Sequence, residues 1–502
     1  MEMLGNLSLG LQVALAPENL IYCFAGVFFG TLIGVLPGLG PLAAISMLFP
    51  VTFYLEPTTA LIMLAGIWYG TSYGGSTTAI LLNIPGTPVN AVTALDGYPM
   101  SRQGRGGVAL FMTTIASFIG GSVGIILLTV LAPVMVTYAL RFGSAEYFAL
   151  ITLGLVAAST ISNGSTIKSL AMVVLGIMAG TIGMDMYTGA LRYTFGQRAL
   201  YDGIGIAALA MGLFGVAEII GSIHTARSRM IDRKSVRFSA MKPTRDDLKR
   251  SWRPVLRASA IGSFFGALPG TGSAIAAFVA YGMEKRLAKE PERFGKGAIE
   301  GIMAPETANN AADQTAFIPT LALGIPGSAT MALMLGAMMV HGITPGPRLM
   351  VDEPSLFWGL VMSFWIGNLM LLVLNIPMIG LWVRVLLIPY HLLFPAVLVF
   401  ICIGAYSIGN NPFDIWVVAV FGLLGYLMRV LDFPAAPLLL GFVLGPMLEE
   451  HFRRAMVLSQ GDISVLITRP ISATILGLVG LMLLWNLVSA LKSRRPGPPP
   501  IS

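Results

Sequence analysis

The chain has 502 residues, of which 55% are hydrophobic and 11% charged. Soluble domains carry about a quarter charged residues, so this composition cannot clothe a water-facing surface of that size. The net charge of +7 does not point to nucleic acid, because the lysines and arginines fall in short stretches between long apolar runs, as in cytoplasmic loops.

Apolar runs extend from Leu20 to Leu491. A spanning helix needs about 20 apolar residues, which predicts an all-α polytopic membrane protein with roughly 10–12 transmembrane segments, some broken or re-entrant. The amino-terminal stretch has no basic region followed by a small-residue cleavage site, so the first span is expected to direct insertion itself. Near it lies Gly30-Thr-Leu-Ile-Gly34-Val-Leu-Pro37-Gly38-Leu-Gly40. Proline lacks an N–H and glycine relaxes the backbone, so a helix stops here. Freed backbone groups are tolerated in a bilayer only when packed in protein or lining a wet cavity. A helix that restarts after Gly40 directs free N–H groups at such a cavity, and helix N-termini favour anions.

The stretch Tyr69 to Asn90 follows, rich in small hydroxyls and amides and free of charge. Ser76, Thr77, Asn83, Pro85, Gly86 and Thr87 are candidates for solute contact; Gly74 and Gly75 read better as close helix packing. Asp185 ends an apolar run, where a carboxylate is cheap, and reads as a loop or cap residue. A basic cluster then extends from Arg227 to Arg253 and is expected to be cytoplasmic.

The second part of the chain repeats the first. Gly262-Ser-Phe-Phe-Gly266-Ala-Leu-Pro269-Gly270-Thr271-Gly272 has the Gly30–Gly40 pattern, and Gly324-Ile-Pro326-Gly327-Ser328 matches Asn83-Ile-Pro85-Gly86-Thr87. Weaker pairs are Asp96-Gly97 with His341-Gly342, and Asp185 with Asp432. We read two duplicated halves, with the second inverted in the membrane, as in many secondary transporters whose site lies between the repeats. The boundaries are 1–224 for the first repeat, 225–253 for the basic linker, 254–491 for the second repeat and 492–502 for the tail. Pro37, Gly38, Gly40, Pro269, Gly270, Thr271, Gly272, Ser273, Pro326, Gly327 and Ser328 join the candidate solute contacts. Ala304 to Thr315 places Glu306, Asn309, Asn310 and Asp313 beside long apolar runs. Polar groups there are expensive and tend to be functional. Glu306 and Asp313 are the candidates for ion or proton coupling, Asn309 and Asn310 for solute coordination.

Other chemistries find little support. Cys23 and Cys402 form no disulfide framework, and four scattered histidines lack metal-ligand spacing. Gly295-Lys296 lacks the rest of a P-loop. An intramembrane enzyme using Ser273 or Ser76 with His341 has no G-x-S-x-G around either serine. An uncoupled channel is the other alternative.

At four places the sequence resembles a known family. The two G-x-L-P-G-x-G motifs, Tyr73-Gly-Gly-Ser-Thr-Thr-Ala-Ile-Leu-Leu-Asn-Ile-Pro-Gly86 and Ala304-Pro-Glu-Thr-Ala-Asn-Asn-Ala-Ala-Asp313 resemble the large membrane subunit (TctA type) of tripartite tricarboxylate transporters. The resemblance covers about residues 20–490. It implies a multi-pass protein of the bacterial inner membrane that works with a periplasmic solute-binding protein and a small four-span membrane subunit. It implies import of a small carboxylate, driven by Na⁺ or H⁺, with no cofactor and no enzymatic step.

Overall fold

The computed structural model describes residues 2–85, 87–161, 165–185, 187–222, 240–386, 388 and 390–493. Gly86, His224, the basic cluster from Arg227 to Arg237 and residues 494–502 lie outside them. The described residues form helices joined by turns and loops, with one short antiparallel hairpin, β1 (Gly183–Met184) and β2 (Leu191–Arg192). Among the described residues, five helices are long and apolar enough to cross a membrane: Pro17–Val35, Val89–Ala139, Pro354–Asn375, Pro412–Val430 and Pro470–Val488. Seven shorter apolar helices accompany them. The protein is thus an all-α polytopic membrane protein.

The chain forms two compact units, each discontinuous in sequence: Met1–Leu140 with Ile204–Leu431, and Arg141–Gly203 with Asp432–Ser502. In the smaller unit, Gly176 and Gly441 let helices Thr166–Gly180 and Ala435–Leu458 touch backbone to backbone, against Leu438 and Val173. Arg453 joins Asp185 (3.1 Å) to Glu449 (2.6 Å), and Arg192 also holds Glu449 (2.9 Å), so the β1–β2 hairpin is tied to that second helix. Asp185 is therefore a loop anchor, as its position at the end of an apolar run suggested. Cys23 and Cys402 are free.

The helices of the larger unit that build the site are α1 (Pro17–Val35), α2 (Pro41–Thr52), α3 (Pro57–Leu82), α4 (Pro88–Met100), α5 (Gly106–Ala139), α6 (Arg245–Ala267), α7 (Gly272–Leu287), α8 (Glu300–Thr315), α9 (Phe317–Leu323), α10 (Ala329–Val340) and α11 (Pro354–Asn375). Five of them start with proline at N1 (α1–α4 and α11), where the missing N–H has no partner to lose. The L-P-G-x-G motifs do what their composition predicts. Helix α1 stops at Val35 and α2 restarts at Pro41, with Gly38 at φ +87°; α6 stops at Ala267 and α7 restarts at Gly272, with Gly270 at φ +84°. A side chain at either glycine would be strained.

The same motifs set the packing. A Cβ on Gly30 or Gly34 would run into the backbone of Ile67 or Thr71, and one on Gly262 or Gly266 into that of Ala308 or Ala312. So α1 lies against α3, and α6 against α8, at backbone contact. Small residues allow this approach inside membranes. Gly74 likewise meets Thr31 of α1, and Gly75 meets the Asn90 side chain. At the exposed end of α6, Thr244 and Asp247 form a capping box, and Arg105 holds Asp247 at 2.7 Å. One sequence pairing does not survive in three dimensions. Asp96 lies in the body of α4, whereas His341 is the C-cap of α10.

Candidate functional site

Helices α3 and α8 run antiparallel through the centre of the larger unit, and every residue from Gly301 to Thr315 is buried. Polar side chains meet along their contact. The Tyr69 hydroxyl donates to Gln314 (2.8 Å), Ser72 to Asp313 (3.2 Å) and Ser76 to Glu306 (2.8 Å). Glu306 also accepts from Thr93 of α4 and from Ser117 of α5, the latter at 3.2 Å. Ser273, at the start of α7, is the second hydroxyl on Asp313. Tyr73 donates to Asn368 of α11 (2.8 Å), which in turn donates to the Phe118 carbonyl (3.0 Å). Asn310 folds back on the Glu306 carbonyl at 2.9 Å. Burying this many polar groups among apolar helices is tolerable only because each finds a partner.

A cavity of about 320 Å³ opens beside this seam. Its wall includes the starts of four helices: Gly40 and Pro41 at α2, Thr87 and Asn90 at α4, Gly272 and Ser273 at α7, Ser328 and Thr330 at α10. Two of these starts are capped alike. Thr87 is extended (φ −141°) and accepts from the Asn90 backbone N–H, and Ser328 (φ −155°) accepts from that of Met331. The turns before them also match: Asn83 (φ 54°) and Gly324 (φ 71°) are both left-handed C-caps. Trp68, Ser72, Asn309 and Asp313 close the centre, and Phe214 and Glu218 a further side. Glu218 is held by Arg429 at 3.0 Å. Among the described residues, no lysine, arginine or histidine belongs to the wall. The wall carries the Asp313 and Glu218 carboxyls, and the positive groups it presents are helix N-termini, each equivalent to a partial positive charge.

Of the residues singled out from sequence, Gly38, Gly40, Thr87, Gly272, Ser273, Asn309, Asp313 and Ser328 line this cavity. Pro37, Pro269, Gly270, Thr271, Asn83, Pro85, Pro326 and Gly327 shape the turns that lead into it, and the Gly270 N–H is bonded to the Gly327 carbonyl at 3.0 Å. Ser76, Thr77, Glu306 and Asn310 are buried in the seam behind the wall. Gly86 lies outside the described residues. His341 is the C-cap of α10, at the opposite end of that helix from Ser328 and Thr330. Trp68, Ser72, Asn90 and Thr330 were not singled out. Ser72 and Asn90 fall inside the hydroxyl-rich stretch, but nothing in the sequence says which side of its helices faces the cavity.

The broken helices, the solute-sized cavity between them and the buried polar seam define a membrane transport protein. The chain belongs to the tripartite tricarboxylate transporter TctA family, whose model matches residues 20–440. It is similar to the "uncharacterized 52.8 kDa protein in TAR-I ttuC' 3' region" of Agrobacterium vitis, 51% identical over 99% of this chain and 98% of that one. It is also similar to an "uncharacterized protein in TAR-II ttuC' 3' region" of the same organism, 54% identical over 47% of this chain and 97% of the relative. No solved structure matches.

Proposed function

We propose that this chain is the large permease subunit of a binding-protein-dependent carrier, importing tricarboxylates or related carboxylates across the bacterial inner membrane. The observation that carries the reading is the convergence of four helix N-termini on a cavity with no basic side chain among the described residues of its wall. Carboxylate oxygens are met there by backbone N–H groups and hydroxyls, a pattern that binds anions without a fixed countercharge to slow release. The matching caps and breaks are what a duplicated, inverted pair of repeats supplies, and movement of one bundle against the other gives alternating access. Asp313 in the wall and Glu306 behind it couple the cycle to a Na⁺ or H⁺ gradient. The working assembly holds a periplasmic solute-binding protein and a small four-span subunit.

The test is uptake by vesicles holding this chain and its small partner, with the binding protein added outside. Citrate and other carboxylates are tried under imposed Na⁺ or H⁺ gradients. Uptake that requires the binding protein and one gradient supports the proposal. Uptake that requires neither makes the protein a channel, and uptake of no carboxylate refutes the substrate class.

A further inference from the structure

Seven acidic residues are buried among the described residues. Glu146, Asp185, Asp247 and Glu284 each face an arginine. Asp96 accepts the backbone N–H groups of Gly295, Gly297 and Ala298 and the Tyr281 hydroxyl. Glu306 and Asp313 receive hydroxyls alone. An ionised carboxylate taken out of water without a positive partner costs several kcal/mol. Asp313 opens on the cavity, where an ion can meet it. Glu306 is fully buried and forms no part of the wall. Three hydroxyls already touch its two oxygens, so a metal ion would have to part them from the carboxylate. A proton needs no room.

A directed chain of hydrogen bonds joins this carboxylate to the cavity. Thr87 Oγ1 donates to Asn90 Oδ1 (2.8 Å), Asn90 Nδ2 donates to Ser76 Oγ (3.1 Å), and Ser76 Oγ donates to Glu306 Oε1 (2.8 Å). Thr87 and Asn90 are wall residues. With donors running in this direction, Glu306 is satisfied as a carboxylate.

We propose that Glu306 is a proton site of the carrier, and that Asn90 is the positioning residue that ties its protonation to solute in the cavity. The proposal rests on the carboxylate-carrier reading above. A solute carboxylate at the start of α4 takes the Thr87 hydroxyl as its donor. Asn90 Oδ1 loses that donor, and the amide turns to place Oδ1 against Ser76. Ser76 then donates to Asn90 and presents a lone pair to Glu306. A carboxylic acid satisfies that lone pair and a carboxylate does not. One proton from the aqueous phase bonds to a Glu306 oxygen, and no other covalent bond changes. Solute release reverses each step. The titratable groups whose charge acts on Glu306 are Asp313 on its own helix and Tyr73 on α3; on the other helices packed here, Asp96 of α4 is bonded to Tyr281 of α7, and Arg257 of α6 is held by Glu284 of α7 at 2.6 Å. None is a free positive charge that would neutralise Glu306 in place of a proton.

The experiment is calorimetric binding of fully ionised di- and tricarboxylates to the purified membrane complex, in buffers of different ionisation enthalpy. Wild type should take up about one proton per solute, and its affinity should fall about tenfold per pH unit. Glu306→Gln and Ser76→Ala should bind with no proton uptake and a flat pH dependence. Asn90→Ala should bind up to about tenfold more weakly, as a lost hydrogen bond implies, and also without proton uptake. Infrared difference spectra of wild type should show a carboxylic-acid band appearing with solute. Proton uptake retained in Glu306→Gln or Asn90→Ala, or no such band in wild type, overturns the proposal and leaves the carrier reading standing. Binding of no carboxylate by wild type overturns the carrier reading, and this inference with it.

Discussion

Replacing Gly262 by alanine tests the packing that holds α8 in place. A Cβ there would lie 2.7 Å from Ala308 Cα and 2.8 Å from its carbonyl carbon. Carbon atoms in contact sit about 3.5–4.0 Å apart, so the helices must separate by roughly 1 Å. The obstructing atoms are backbone, and no rotamer change relieves them. Overpacking of this kind costs about 1–3 kcal/mol, against which alanine gains about 1 kcal/mol over glycine in a helix. Gly282→Ala is the control, because it lies in α7 with nothing within 4 Å of the new Cβ. The difference between the two variants cancels the propensity gain and reports the clash, an expected ~1–3 kcal/mol by unfolding in detergent. A 1 Å shift of α8 also displaces Asn309 and Asp313, so carboxylate affinity should fall at least about tenfold. Gly30→Ala faces Ile67 at the same distances, 2.7 and 2.8 Å, and should behave the same way. If Gly262→Ala is as stable as Gly282→Ala, the backbone contact between α6 and α8 does not exist and the reasoning fails.

Thr87→Ala and Ser328→Ala each remove a helix cap, worth about 1 kcal/mol, and a hydroxyl from the cavity wall; both should lower thermal stability and weaken solute binding, and unchanged binding in both would refute the placement of the site. Asp247→Ala should cost about 1–3 kcal/mol, because it ends the capping box of α6 and leaves Arg105 unpaired; the loss should appear as faster hydrogen exchange in the first turns of α6. The Tyr187 N–H, 2.9 Å away, and Arg453 hold the Asp185 carboxyl at about 2, below its usual 3.8. A depressed carboxyl stabilises above its unfolded value, so the β1–β2 hairpin should be fully tied above about pH 5 and loosen as pH falls towards about 2. Hydrogen exchange of the hairpin amides, corrected for intrinsic rate, reads this directly, and protection independent of pH would refute it.

The sequence by itself determined the class of fold and the places where helices break. Low charge with long apolar runs permits only a membrane protein. Proline and glycine act through backbone dihedrals and missing N–H groups, which are local properties, so L-P-G-x-G could be read directly as a stop and restart. The two acids at Glu306 and Asp313 were also legible, because a carboxylate among apolar residues needs a reason. Tertiary structure alone decided what each of them does. Both lie on one helix, yet Asp313 faces the cavity while Glu306 turns to Ser76, Thr93 and Ser117 on three other helices. Helical periodicity could not sort them, because every residue from Gly301 to Thr315 is buried and α8 has no polar outer face to mark the inner one. The same limit hid Ser72 and Asn90. Their roles depend on which neighbour each helix meets, and that is set by glycine contacts far away in the chain, Gly30 on Ile67 and Gly262 on Ala308. The convergence of four helix starts on one cavity is likewise a product of packing, since no one segment contains more than one of them.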